Sequence, residues 1–142
     1  MEMKKEELDE ILENHVKWLN EDGGKRADLS GADLRGADLS DADLSGANLP
    51  TGIYQIVGVG SYYRCTTYDS INDRVICGCW NDNAGNHLDS FARRIEQIYG
   101  AEGEEPNLKY YTEYMSMVNF FKAMKELRER YLKEGKDDGQ NT

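Results

Sequence analysis

Between Ala27 and Thr51 the sequence repeats with a period of five residues: ADLSG, ADLRG, ADLSD, ADLSG, ANLPT. Ala27, Ala32, Ala37, Ala42 and Ala47 hold one phase, and Leu29, Leu34, Leu39, Leu44 and Leu49 hold another. A helix brings its faces round about every 3.6 residues and a strand about every two, so neither explains a five-residue phase. An internal repeat this regular sets the architecture before any other feature is considered.

The ADLSG units resemble the pentapeptide-repeat family over residues 27–51. The resemblance implies a right-handed, four-sided β-solenoid with one pentapeptide on each face. In that fold the Leu and the Ala two positions before it point into a narrow column, with Ala where backbones come close and Leu filling the centre. Four pentapeptides make one coil in the family, so the five here make barely more than one. A solenoid buries its core only against stacked neighbours, so a single coil needs a cover at both ends. The preceding helix, with Trp18 and Leu19, is the expected cover on one side and the following segment on the other. Asp28, Asp33, Asp38, Asp41 and Asp43 against Arg35 alone make the repeat acidic. Long members of the family imitate duplex DNA, but one coil spans only about 5 Å of axis. A solvated scaffold face is the expected role of these acids.

The flanks divide the chain further. Residues 1–24 form the capping helix, with Leu8, Ile11, Leu12, His15, Val16 and Leu19 at helical spacing over 4–20 and Gly23-Gly24 as the stop. Acidic Glu6, Glu7 and Asp9 suit its first turns. Residues 25–51 are the repeat coil. Over 52–134, Ile53–Val59, Ser61–Tyr68 and Arg74–Trp80 read as three strands of an antiparallel β-meander. In the second strand, alternation puts Tyr62, Arg64, Thr66 and Tyr68 on one face. Val75, Cys77 and Cys79 share one face of the third, Ile76 and Trp80 the other. A helix over 87–99 follows, with Asn86 as its expected N-cap, and then a long helix from about Asn107 to Lys133. The long helix carries two apolar seams, so one covers the sheet and the other meets a second chain. The fold class is thus α+β, with a disordered tail at 135–142.

The 142 residues carry 17 Lys+Arg against 27 Asp+Glu, a formal charge of −10. This argues against a general nucleic-acid binder, which needs a basic surplus, and against an anchor on anionic lipid. The N-terminus has no continuous apolar stretch of the secretory kind, and three cysteines fit reduced thiols, so a cytoplasmic protein is expected. Cys65, Cys77, Cys79 and His87 supply a nominal zinc set, but the spacing is not a knuckle and the cysteines read as core residues; no metal or cofactor is expected. His15 and His87 stand in separate modules, no acid/base motif appears, and Gly58-Val59-Gly60-Ser61 precedes a strand rather than a helix, so no catalytic residue and no enzyme is expected.

One cluster suits a ligand. Tyr62, Arg64 and Tyr68 share a strand face, Trp80 and Ile76 are expected near it, and Arg93 and Arg94 lie on a helix that packs back. Aromatic planes for stacking and guanidinium groups for phosphate suit a nucleotide. The helix, repeat and YQIVGVGSYYRCTTYD segment also resemble proteins common in phages and prophages. That resemblance implies action against host defences, by sequestering a nucleotide signal or by occupying a host protein. With the cluster and the two-seam helix, the expected function is a non-enzymatic counter-defence protein that sequesters a nucleotide-type ligand as a homo-oligomer joined by the long helix. The alternatives are an acidic module that blocks a host nucleic-acid-binding or defence protein, and an assembly scaffold with no ligand.

Overall fold

A computed structural model describes residues 3–34, 39, 42–60, 64–77, 80 and 85–133, and of Arg64 only the backbone. Tyr62, Cys79, the repeat residues Arg35, Ala37, Asp38 and Asp41, and the tail 135–142 therefore lie outside the described residues. The element order is α1 (Lys5–Leu19), β1 (Ile53–Val59), β2 (Arg64–Asp69), β3 (Arg74–Cys77), α2 (Leu88–Tyr99) and α3 (Leu108–Lys133). The strands form one antiparallel sheet in the order β1-β2-β3, and the architecture is α+β. No described helix is long and apolar enough to cross a membrane.

Pairing fixes the two faces of the sheet. Tyr54 opposes Tyr68, which opposes Val75, and Ile56 opposes Thr66, which opposes Cys77. These residues face the helices, where Tyr68, Val75 and Cys77 join Phe91, Ile95, Tyr114, Met117, Val118 and Phe121 in one core. Gln55, Thr67 and Ile76 oppose one another on the other face. Ile76 packs there with Leu29, Leu34, Leu39 and Leu44 of the repeat and Leu8 of α1. The sheet is therefore covered on both sides, by helices on one and by the repeat segment on the other.

Among the described residues, three Leu-to-Ala links of the repeat that forms this second core are closed by a backbone hydrogen bond. Ala32 N–H donates to Leu29 C=O at 3.0 Å, Ala42 to Leu39 at 3.1 Å and Ala47 to Leu44 at 2.9 Å. Gly31 and Gly46 stand third in two of these turns with φ near +75°, the left-handed geometry a type II turn requires. The aspartates serve the same turns: Asp28 and Asp43 accept from the N–H and hydroxyl of Ser30 and Ser45. Those bonds hold the Asp28 carboxyl below its usual pKa. Asp28 and Asn48 form a parallel bridge, with Leu29 N–H donating to Asn48 C=O at 2.7 Å and Asn48 N–H to Ala27 C=O at 3.0 Å. Four pentapeptides separate those bridge partners.

Side chains of α1 and of the sheet both pack into this core. From α1, Leu8 enters the leucine cluster, and the His15 ring stacks on Trp18 with centroids 5.3 Å apart. Trp18 in turn lies against Gly46, where an added Cβ would come within 3.1 Å of the indole. Val16, expected on the buried stripe, is 51% exposed, because the stripe contacting the repeat runs through Leu8 and His15.

Two further boundaries differ from the sequence expectation. The described β3 is Arg74–Cys77, and Trp80, expected as its last residue, instead donates its N–H to Cys77 C=O at 3.1 Å; residues 78 and 79 lie outside the described residues. The N-cap position of α2 is His87, not Asn86, and its side chain makes no cap bond. The Asp73 carboxylate, reaching from the β2–β3 turn, accepts the Leu88 N–H at 3.2 Å instead. Asn107 caps α3 by accepting the Tyr110 N–H at 3.0 Å.

Candidate interaction surface

The residues chosen from the sequence as a ligand cluster fall in different surroundings. Tyr68 is 0% exposed, its ring packed on Phe121 with centroids 5.0 Å apart and its hydroxyl donating to Asp73 at 2.8 Å. Trp80 packs edge-on against Phe91 at 5.2 Å in the same core. Ile76 lies on the opposite face from Tyr68, because strand alternation pairs Tyr68 with Val75. On α2, Arg93 is exposed, and Arg94 donates to Glu104 at 3.2 Å and Gln97 at 3.5 Å. Of the described members, Tyr68 and Trp80 thus lie in or against the helix-side core, Ile76 on the opposite sheet face, and Arg93 and Arg94 on α2.

Cys79 of the nominal zinc set lies outside the described residues. Among the described residues no group of three or more His, Cys, Asp or Glu side chains is arranged to hold a metal ion. Thr66 donates to the buried Cys77 thiol at 3.2 Å. Cys65, opposite Val57, lies on the other face.

Among the described residues a dense polar cluster centres on Asp73. Its carboxylate receives the Tyr68 hydroxyl and the Leu88 N–H, with Lys125 Nζ and His87 Nδ1 each at 3.6 Å. His87 Nδ1 also lies 2.9 Å from the Asp73 carbonyl, which makes Nδ1 the protonated nitrogen. Burial raises the Asp73 pKa, but the Tyr68 and Leu88 hydrogen bonds and the nearby Lys125 and His87 outweigh it and hold it below the usual value. For Tyr68, burial first and then the bond to Asp73 push the phenol far above its usual value. The cluster ties a sheet turn to both helices. Its hollow, about 280 Å³, is lined by Asp73, Asp89, Glu126, Glu129, Lys122, Lys125 and Leu88.

Among the described residues, α3 borders one open apolar groove and carries a second exposed apolar surface. The first is a groove of about 480 Å³ between β1 and α3, lined by Ile56, Gly58, Val59, Thr112, Ser116, Met117 and Phe120, with Glu113 beside them. Glu113 accepts the Gly60 N–H at 2.8 Å, closing one end. The second lies past the start of α2. The helices run antiparallel, since Tyr99 packs on Tyr110 and Lys122 approaches Asp89 at 4.0 Å. At about 1.5 Å per residue α3 is roughly 39 Å long and α2 roughly 18 Å. Residues 126–133 therefore run beyond α2 and carry exposed Leu127, Tyr131 and Leu132.

Residues 25–50 match a family model described as Pentapeptide repeats (8 copies), so this segment is a pentapeptide-repeat segment. Searches of curated proteins and of solved structures find no match to the chain.

Proposed function

We propose that the chain is a non-catalytic protein-interaction module. A single right-handed coil of pentapeptide-repeat β-solenoid and a helix-backed sheet form its scaffold, and the projecting end of α3 is the surface it offers to a protein partner. Supporting the coil, the bridged residues Asp28 and Asn48 stand four pentapeptides apart, one circuit of a four-sided solenoid. The observation that carries the interaction reading is the end of α3, where, among the described residues, Leu127 and Leu132 stand exposed past α2. An amphipathic helix that outruns its cover is a ready anchor for a partner groove. With a net charge of −10, the preferred partner is basic. The resemblance to phage and prophage proteins supplies the context: an accessory protein acting in a host cytoplasm by occupying a nucleic-acid-binding or defence protein.

This reading is favoured over nucleotide sequestration because stacking and phosphate contacts need free rings and free guanidinium groups. Tyr68 is enclosed, Trp80 packs on Phe91, and Arg94 is bonded to Glu104. The test is capture of a basic protein from host lysate by the wild type and by Leu127→Glu/Leu132→Glu. Both changes lie at exposed positions, so the variant keeps the fold. Salt-sensitive capture by the wild type that the variant loses supports the reading. Equal capture by both, or no capture, overturns it.

A further inference from the structure

The sheet has two edges, and the structure treats them differently. The β3 edge is occupied, since Val75 N–H donates outward to Asn86 C=O at 2.8 Å. β1 is the other edge. Among the described residues, nothing other than β2 bonds the β1 backbone from Tyr54 to Val59. None of its residues is buried, and Val57 is 40% exposed.

β1 lacks two of the usual protections of an exposed edge. Its sequence, IYQIVGV, has no charge and no proline. Natural edges are usually blunted by Lys, Pro, bulges or a covering segment, because unpaired N–H and C=O groups template another strand. Only the irregularity between Val57 and Val59 interrupts this one, leaving Ile53–Val57 straight. Beside that stretch lies the groove under α3, with Phe120 44% exposed and packed edge-on to Tyr54 at 6.2 Å.

We infer that β1 is a self-pairing edge: two copies of the chain dimerise through antiparallel β1–β1 contact, extending the sheet to six strands, with Phe120 and Ile56 enclosed at the seam. The occupant is a second copy because the groove asks for an extended, apolar, uncharged strand, and β1 is such a strand. Charge does not oppose the contact locally. Two molecules of net charge −10 repel, and β1 offers them a seven-residue contact free of charge. A two-fold axis presents the same patch twice, so the contact closes at the dimer. This surface is separate from the α3 end, so the two readings stand or fall apart.

Light scattering after size exclusion, at high micromolar protein, tests the seam. The wild type should run at twice the chain's 16.2 kDa, with little dependence on salt. Val57→Lys and Phe120→Lys, both at exposed positions, should each halve that mass while retaining the wild-type circular dichroism. Leu127→Lys should leave the dimer intact. A monomeric wild type, a dimer that survives Phe120→Lys in folded protein, or a dimer dissolved by Leu127→Lys would each overturn the assignment. If Val57→Lys fails to fold, the helix-surface variant Phe120→Lys decides alone.

Discussion

The buried imidazole of His15 accepts the Ala27 backbone N–H at Nδ1, 3.0 Å away, and its Nε2 donates to the Ser45 carbonyl at the same distance. One side chain of α1 thereby fixes two turns of the repeat, with the ring in its Nε2–H tautomer.

His15→Leu keeps the bulk but leaves the Ala27 N–H and Ser45 C=O without their partner. An unpaired buried polar group costs about 1–3 kcal/mol. A loss of about 2 kcal/mol, read by urea denaturation, is expected, together with a fall of several degrees in melting temperature. A change within about 0.5 kcal/mol, the range of ordinary surface substitutions, would contradict the role of this latch.

Gln55 should behave the same way at the other cover. Its amide donates to Ala42 C=O at 2.7 Å and Thr67 Oγ1 at 3.0 Å, and its oxygen accepts the Leu44 N–H at 2.7 Å. It is the polar tie between sheet and repeat, so Gln55→Leu should cost about 2–3 kcal/mol. The loss should appear as one cooperative transition at lower urea. A separate early transition would show that the repeat melts independently of the sheet.

The Asp73 cluster sets a pH dependence with opposite signs at its two ends. Asp73 has a lowered folded pKa, so its stabilisation is intact above the ordinary carboxyl value of 3.8 and is lost as pH falls through and below it. Tyr68 has a raised one, so its share is intact below 10.0 and is lost as pH rises past it. Asp73→Asn should therefore be less stable than wild type at neutral pH, by about 1–2 kcal/mol, with the gap narrowing below about pH 4. Urea unfolding across a pH series reads this directly. A gap that stays constant from neutral pH into strong acid would contradict it.

The repeat and the strand order were legible in the sequence because both are periodic. A five-residue phase excluded helix and strand, and β1 was bounded correctly by its uncharged run and following glycines. The faces of β2 were also legible, since alternation placed Tyr68 with Thr66. What failed was the step from a strand face to a ligand face. Alternation says which side a residue takes and not whether a helix will cover it; the helices covered Tyr68. Trp80 was misplaced on the Ile76 face because β3 was extended to it, whereas its N–H bonds to Cys77 C=O and its ring packs on the helix-side core. The Asp73 cap of α2 was hidden for a different reason: it acts across 15 residues, and capping rules read only the residue next to the helix.

The central claim is that the protein works through its surfaces and not by enclosing a nucleotide. A thermal-shift screen of the wild type against mono-, di- and cyclic nucleotides tests it most directly. A ligand at about 100 times its dissociation constant adds about 2.7 kcal/mol, a displacement of several degrees. The account predicts no shift across the panel. A selective shift that Arg64→Ala or Arg94→Ala abolishes would contradict it and restore the nucleotide-binding reading.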